Sequence, residues 1–365
     1  MTKSDELSMR VHKQVAKWLI VCLSFVFLII ILGGATRLTG SGLSMVKLKL
    51  FRGVIPPSSE ADWKKSFEEY QKTPEYIKTY KDRTMSVESY KSIFWLEYFH
   101  RLVGRFLAGF VFLIPFLYFL IRYFFINKVL SASLIVRLVI MFALGGLQAA
   151  VGWIMVQSGM NTSTLFQFGD LISVNPYNLT LHLAMAVVTY IYMVRVILST
   201  WYHGSQREKQ KEYGPFTSLS LILIIFAVIT ILSGGFVAGT KAGLLYQSDL
   251  FISLDALSVT DSITQTQTIF QFIHRWLATV LFLLIILFWS LGLKKLTSGR
   301  LKTFIHTVFA VAIAQFTLGI TTLISFTLRD IETIALGTIH QGTAIILLTF
   351  ILLAHYYSSW RIRRP

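Results

Sequence analysis

Charge and sulfur are scarce in this chain. Only 14% of its 365 residues are charged, against about 25% in an ordinary soluble domain, and its 18 acids are far outnumbered by 34 lysines and arginines. That composition excludes a water-soluble enzyme. The single cysteine, Cys22, excludes a disulfide within the chain. No apolar run is interrupted and none carries a carboxylate at its middle, which counts against a transporter that moves protons along buried acids. There is no low-complexity tract, and no basic face outside the presumptive cytoplasmic loops, so the net charge of +16 is not a nucleic-acid signal.

Apolar residues fill the space instead: 54% are hydrophobic, 29 are Phe, and mean hydropathy is +0.63. A helix crosses the hydrocarbon with about 20 apolar residues. Eight such runs stand near 18–36, 93–121, 134–157, 178–201, 216–237, 269–293, 303–326 and 334–357. The first ends in Gly33-Gly34-Ala35-Thr36-Arg37 with no small-x-small cleavage pattern and is read as a retained helix. More than half of the 34 basic residues fall in the segments 1–17, 122–137, 195–211, 294–302 and 361–364. Positive loops stay in the cytoplasm, so both termini are expected inside, in a bacterial inner membrane or alternatively a mitochondrial one. The long loop 37–92 then lies outside. Within it, 58–92 is polar and aromatic, and the spacing of Trp63, Phe67 and Tyr70 predicts a short amphipathic helix at the interface or capping a bundle.

The chain repeats internally. Gly33-Gly34-x4-Thr39-x2-Gly42-Leu43 recurs without a gap as Gly234-Gly235-x4-Thr240-x2-Gly243-Leu244. His100-Arg101 then pairs with His274-Arg275, Gln148 and Gly152 with Gln315 and Gly319, and His182 with His340, at an interval that shrinks stepwise as longer outer loops in the first half require. The reading is an all-α membrane protein of eight transmembrane helices, arranged as two four-helix bundles related by a pseudo-twofold along the membrane normal. Residues 1–202 form the first bundle, 203–215 a cytoplasmic linker and 216–365 the second.

Imidazole is costly in hydrocarbon, so His100, His182, His274 and His340, at matched depth on the second and fourth helix of each repeat, are candidate functional residues. Two facing histidines per bundle suit the axial positions of a heme iron. Cys22 lies at the other end of the membrane and is no candidate ligand. A lone membrane histidine more commonly bonds a neighbouring helix. Four in repeat register favour two heme sites. His12, His203, His306 and His355 have no repeat partners and are expected to be solvated or interfacial.

The halves differ one turn before the first histidine, where Glu97 in one is Gln271 in the other. A carboxylate there is a candidate proton acceptor, its charged form disfavoured by desolvation; the plainer alternative ties it to Arg101 or to a loop. Arg37, Arg101, Arg105, Lys241 and Arg275 are candidate contacts for heme propionates, each with headgroup snorkelling as the alternative. Gly33, Gly34, Gly42, Gly234, Gly235 and Gly243 are expected to end helices in tight turns. Gly145, Gly146 and Gly152 are expected to allow close approach of a helix or a flat ring.

The segments Gly33 to Met45, Gly53-Val54-Ile55-Pro56-Pro57, Glu97-Tyr98-Phe99-His100-Arg101-Leu102-Val103-Gly104-Arg105 and Gly152 to Met160 together resemble heme A synthase, from the first helix to the last. The likeness is to the branch of mitochondria and their bacterial relatives, with its long first outer loop and without paired loop cysteines. The resemblance implies oxidation of the C8 methyl of heme O to a formyl group, giving heme A for cytochrome oxidase. It implies a heme b cofactor held by His274 and His340, a substrate half with His100 and His182 as iron ligands, and Glu97 as the acid or base. Heme O synthase, oxidase assembly factors, an unidentified redox partner and membrane lipid are the implied partners. The alternative is a diheme b-type electron carrier.

Overall fold

The computed structural model describes residues 2–46, 55–80, 84–160, 167–168, 171–172, 174–210, 212–245, 262–297, 299–325 and 331–363. Gly53 and Val54, with the stretch 47–54, lie outside the described residues. Among the described residues, eight helices are long and apolar enough to cross a membrane, as the eight apolar runs predict. They are α1 (Lys3–Leu38), α4 (Val87–Ile126), α5 (Ala132–Met160), α6 (Pro176–Trp201), α7 (Gly214–Gly239), α8 (Ser262–Lys295), α9 (Arg300–Ser325) and α10 (Ile331–Ser359). Two shorter helices, α2 (Glu60–Gln71) and α3 (Pro74–Thr79), lie between α1 and α4.

Local chemistry sets the helix starts. Thr2 and Asp5 form a reciprocal capping box on α1, Ser59 and Asp62 another on α2, and Ser86 caps α4 by accepting from the Ser89 N–H. Pro176 opens α6, where a missing N–H costs nothing, behind the Asn175 cap. The spacing of Trp63, Phe67 and Tyr70 buries all three against Tyr90, Phe94 and Tyr98 of α4, so α2 covers the end of the first half remote from the chain termini. The aromatic helix expected in 58–92 is this element. Elsewhere among the described residues there are two short antiparallel pairings, Gln167–Phe168 with Leu171–Ile172 and Gln206–Lys209 with Trp360–Arg363. The second joins the segment between α6 and α7 to the residues that follow α10.

One span is not uniform α-helix. Pro115 has no N–H to give and its ring crowds the carbonyl four residues back, and on both sides of it α4 widens into π turns, Leu107–Leu113 and Leu120–Ile126. The Ile114 N–H consequently bonds Gly109. The Val111 carbonyl, released from the ladder, accepts the Trp18 indole N–H at 2.7 Å and faces the Cys22 thiol at 3.7 Å. In hydrocarbon such a group has no water to turn to, so α1 supplies the partner. Trp18→Phe keeps the packing against Phe112 and Phe119 but leaves that carbonyl only the weak Cys22 thiol as donor. It is expected to destabilise the protein by about 1–3 kcal/mol, read as a lowered unfolding midpoint in detergent. An unchanged midpoint would show that the carbonyl finds another donor.

Packing places the halves reciprocally. α1 lies on α4 and α6 within its half, α7 lies on α8 and α10 in the other, and across the boundary α1 meets α10 while α6 meets α7. The shared core of Ile30, Val187, Tyr190 and Val194 with Leu223, Ile285, Ile345 and Leu348 runs through this boundary. Lipid is as apolar as these side chains, so close packing and polar contacts hold the helices together. Two are visible here: the Gln341 amide donates to the Ile30 carbonyl at 2.9 Å, and the Tyr190 and Thr349 hydroxyls bond at 2.9 Å.

Candidate functional site

Each of the four histidines rests against a glycine of a neighbouring helix. A Cβ on Gly33 of α1 would stand 3.1 Å from His100 Cε1 of α4, and one on Gly234 of α7 would stand 3.0 Å from His274 Cε1 of α8. The fourth helices repeat this, with Gly152 of α5 at 2.7 Å from His182 Cε1 and Gly319 of α9 at 3.0 Å from His340 Cε1. Only a residue without a side chain admits the rings so close. The second glycine of each pair serves the boundary between halves: Gly34 faces the Gln341 side chain and Gly235 faces Leu183, the residues that follow the two fourth-helix histidines.

Those glycines do not end helices, contrary to expectation. Gly33 and Gly34 lie inside α1, and Gly234 and Gly235 inside α7. In an apolar medium the backbone keeps its ladder, and glycine serves for close approach. Gly42 and Gly243 do stand in turns. Of the other three, Gly152 receives a ring, whereas Gly145 and Gly146 face nothing within 4 Å, so the close helix approach expected there is absent.

His100 and His182 stand within electrostatic range of each other, as do His274 and His340, and all four are half-buried. Their nitrogens are wired unequally. His274 Nδ1 lies 2.8 Å from Ser233 Oγ, and that hydroxyl donates to the Thr230 carbonyl at 2.7 Å. It therefore accepts from Nδ1–H, which leaves Nε2 as the lone-pair nitrogen. The repeat position of Ser233 is Leu32. His100 Nδ1 is accordingly buried with no side-chain partner and only the Ile29 backbone beside it. On the fourth helices, Gln148 Nε2 approaches His182 Nε2 at 3.5 Å and donates to its carbonyl at 3.0 Å, while Gln315 Nε2 approaches His340 Nε2 at 3.4 Å. Both Nδ1 atoms are buried without partners. Unpartnered imidazole nitrogens in facing pairs can hold a metal carried by a planar group. No cluster of three or more His, Cys, Asp or Glu that suits a bare ion occurs among the described residues.

Glu97 is 2% exposed, and its carboxylate is not the isolated acceptor that its desolvated position suggested. Oε2 accepts from Ser44 Oγ at 2.6 Å and from the Met45 N–H at 2.8 Å, and Oε1 pairs with Arg101. Both parts of the plainer alternative are realised: the residue is tied to Arg101 and to a loop. Gln271 mirrors it, accepting from Arg275 Nε at 3.1 Å and donating to the Ala242 carbonyl at 2.8 Å. The carboxylate takes two loop donors where the amide takes one loop acceptor.

The cations expected near propionates have diverse settings. Arg37 crosses to the other half and donates to the carbonyls of Ala238, at 3.2 and 3.0 Å, and Gly239, at 2.8 Å, at the C-terminus of α7, where the helix dipole favours a cation. Arg101 is engaged with Glu97 and Arg275 with Gln271. Arg105 holds Nη1 buried without a partner. Lys241 sits in a left-handed turn, φ 56°, where burial and the Arg37 charge lower its pKa against the opposing pull of Glu75.

Glu75 escaped the sequence reading altogether. It lies in α3, its Oε2 out of contact with solvent and without a hydrogen bond. Burial first, and the Glu97 charge second, push its pKa up to about 8, opposed by Arg37 and Lys241. The one available sign was the helix start Thr73-Pro74. Among the histidines set aside as solvated or interfacial, His12 is in fact buried at 3% exposure, its ring stacked on His203 at 3.4 Å. His355 bonds Ser220 Oγ at 3.0 Å, and His306 accepts the Trp289 N–H at 3.0 Å.

The family described as cytochrome oxidase assembly protein, COX15-CtaA, matches residues 16–352. Similar curated proteins carry the name heme A synthase. That of Nitrosospira multiformis is 36% identical across 95% of this chain and 94% of its own length. Those of Paramagnetospirillum magneticum, 35% identical over 98% and 97%, and Caulobacter sp., 36% identical over 97% and 97%, agree with it. This chain belongs to the heme A synthase family. The glycine-backed histidine pairs, the Glu97 pin and the cross-half Arg37 all lie within the span that matches the family.

Proposed function

We propose that the chain is a heme A synthase of a bacterial inner membrane, oxidising the C8 methyl of heme O to a formyl group for cytochrome oxidase assembly. In this reading both termini face the cytoplasm, the histidine ends of the helices lie at the outer side, and the halves are related by a pseudo-twofold. The reciprocal packing of α1 on α10 and α6 on α7 supports that symmetry. A multi-pass membrane protein is what the eight spans make it.

One observation carries the division of labour: the unequal wiring of the histidine pairs. A ligating imidazole is ordinarily oriented by a hydrogen bond from its other nitrogen. His274 has that bond from a side chain, Ser233, itself tied to Thr230, whereas His100 has no side-chain partner and only the Ile29 backbone beside it. The C-terminal pair, His274 and His340, therefore suits a permanent heme b, and His100 with His182 suits a heme that comes and goes. Heme b, when bound, supplies one-electron redox chemistry. The protein's own contribution is to hold and to protect. Gly33, Gly152, Gly234 and Gly319 let the rings sit back against the neighbouring helices. Glu97, fixed by Ser44, Met45 and Arg101 one turn from His100, is the acid or base of the substrate half. Arg105, with Nη1 unpartnered, is the cation best placed to meet a substrate propionate.

The test is mass analysis of hemes extracted from the protein after expression together with a heme O synthase. Heme A or hydroxylated heme O beside heme b is the expected result. Protoheme alone, at two per chain, would make the protein an electron-transfer cytochrome and remove the synthase reading.

A further inference from the structure

The two halves meet at their remote end in a cluster of two acids and two bases that the histidine sites do not use up. Glu75 comes from α3, Glu97 from α4, Arg37 from α1 and Lys241 from the turn after α7, and Glu75 lies within electrostatic range of the other three. Arg37 is anchored on the carbonyls of Ala238 and Gly239, and Glu97 is saturated by Ser44, Met45 and Arg101. Glu75 alone among these anchored groups keeps a buried carboxyl oxygen with no hydrogen bond. The residue as a whole is nevertheless only half-buried, so part of it reaches the surface while its carboxyl group lies inside. Among the described residues, Tyr70 of α2 is also in electrostatic range of Glu75, and α5 and the 171–172 strand pack on α3 as well.

We propose that Glu75 is a proton station between Glu97 and the outer aqueous phase. The proposal rests on the synthase reading, in which Glu97 takes a proton in the substrate half. The step moves one proton and no electron: the O–H bond of the Glu97 carboxyl breaks, an O–H bond forms on the Glu75 carboxylate, Glu97 returns to its ionised form, and Glu75 then yields the proton to water. Glu97 is pinned on three sides and cannot swing to the surface, so a second carboxyl is needed to finish the transfer. Burial beside Glu97 raises the affinity of Glu75 for a proton, and Arg37 and Lys241 limit that rise, which keeps both charge states accessible near neutral pH. The accepting form is the ionised one, so turnover should climb with pH across the titration of Glu75.

Glu75→Gln and Glu75→Asp are to be compared with wild type as full-length protein in membranes, by heme A formation from heme O between about pH 6 and pH 9 and by the heme b spectrum. The expected result is a Gln variant with an intact heme b spectrum, turnover reduced by about 100-fold and no rising limb, with the Asp variant restoring much of both. A Gln variant with the wild-type rate and pH profile would overturn the proposal. So would loss of the heme b spectrum in the Gln variant, which would make Glu75 a structural residue. Wild type that makes no heme A at all removes the reaction, and the relay with it, a failure plainly distinct from the other two.

Discussion

His340→Ala is expected to strip the resident heme from the C-terminal half and abolish heme A formation, whereas His182→Ala is expected to keep that heme and lose only conversion of heme O. The two residues are related by the repeat, rest on equivalent glycines and face equivalent glutamines, Gln315 and Gln148. What differs is the partner across each site. His274 is held in one orientation by the Ser233 hydroxyl, while His100, with Leu32 in the serine's place, has only the Ile29 backbone beside it. Loss of a supporting hydrogen bond alone commonly weakens metal binding by about 10–100-fold, and loss of an axial ligand costs more. In the proposed division, removing His340 leaves the oriented His274 as a single ligand and empties a site that must stay filled. Removing His182, in the same proposed division, damages a site that is filled only during turnover. Absorption spectra of the purified variants, with heme extraction beside them, give the answer. Equal loss of heme b in both variants would refute the division into resident and exchanging halves.

The parts of this arrangement that were legible in the sequence are those in which one residue type has one physical explanation. Imidazole in hydrocarbon is such a case, and the internal repeat, its interval shrinking stepwise, matches His100 with His274 and His182 with His340. Eight spans and the aromatic α2 followed from period and composition alone. Glycine is the opposite case. Gly33 and Gly234 were recognisable as matched, but a glycine near the end of an apolar run signals both a helix stop and a close approach. Only the distance to the His100 and His274 rings decides between them. The stacking of His12 on His203 joins residues far apart in the chain and has no local signature. Glu75 is hidden differently. It is one of several acids in a charged loop, and its isolation comes from α3 lying against α5, a long-range contact that no spacing encodes.

Glu97→Gln is expected to lower heme A formation by about 100- to 10,000-fold while leaving the heme b spectrum unchanged. The amide is the informative replacement because the protein already uses it: Gln271 holds the equivalent position and serves Arg275 with its oxygen, as Glu97 serves Arg101. The fit is incomplete on the other side. Gln271 Nε2 points at a carbonyl, that of Ala242, whereas Glu97 Oε2 receives an N–H from Met45 and a hydroxyl from Ser44. The Ser44 hydroxyl can turn and accept; the Met45 N–H cannot, and one unsatisfied buried donor costs about 1–3 kcal/mol. A lowered unfolding midpoint is therefore expected in the same variant, and by itself says nothing about chemistry. The discriminating readout is turnover at a temperature where variant and wild type are equally folded, measured with the C-terminal heme spectrum as an internal control. Conversion at the wild-type rate would confine Glu97 to pinning the 44–45 loop onto α4. Loss of conversion with the heme retained would mean that an ionisable group is required where the other half manages with an amide, and that this single difference separates the half that transforms a heme from the half that keeps one.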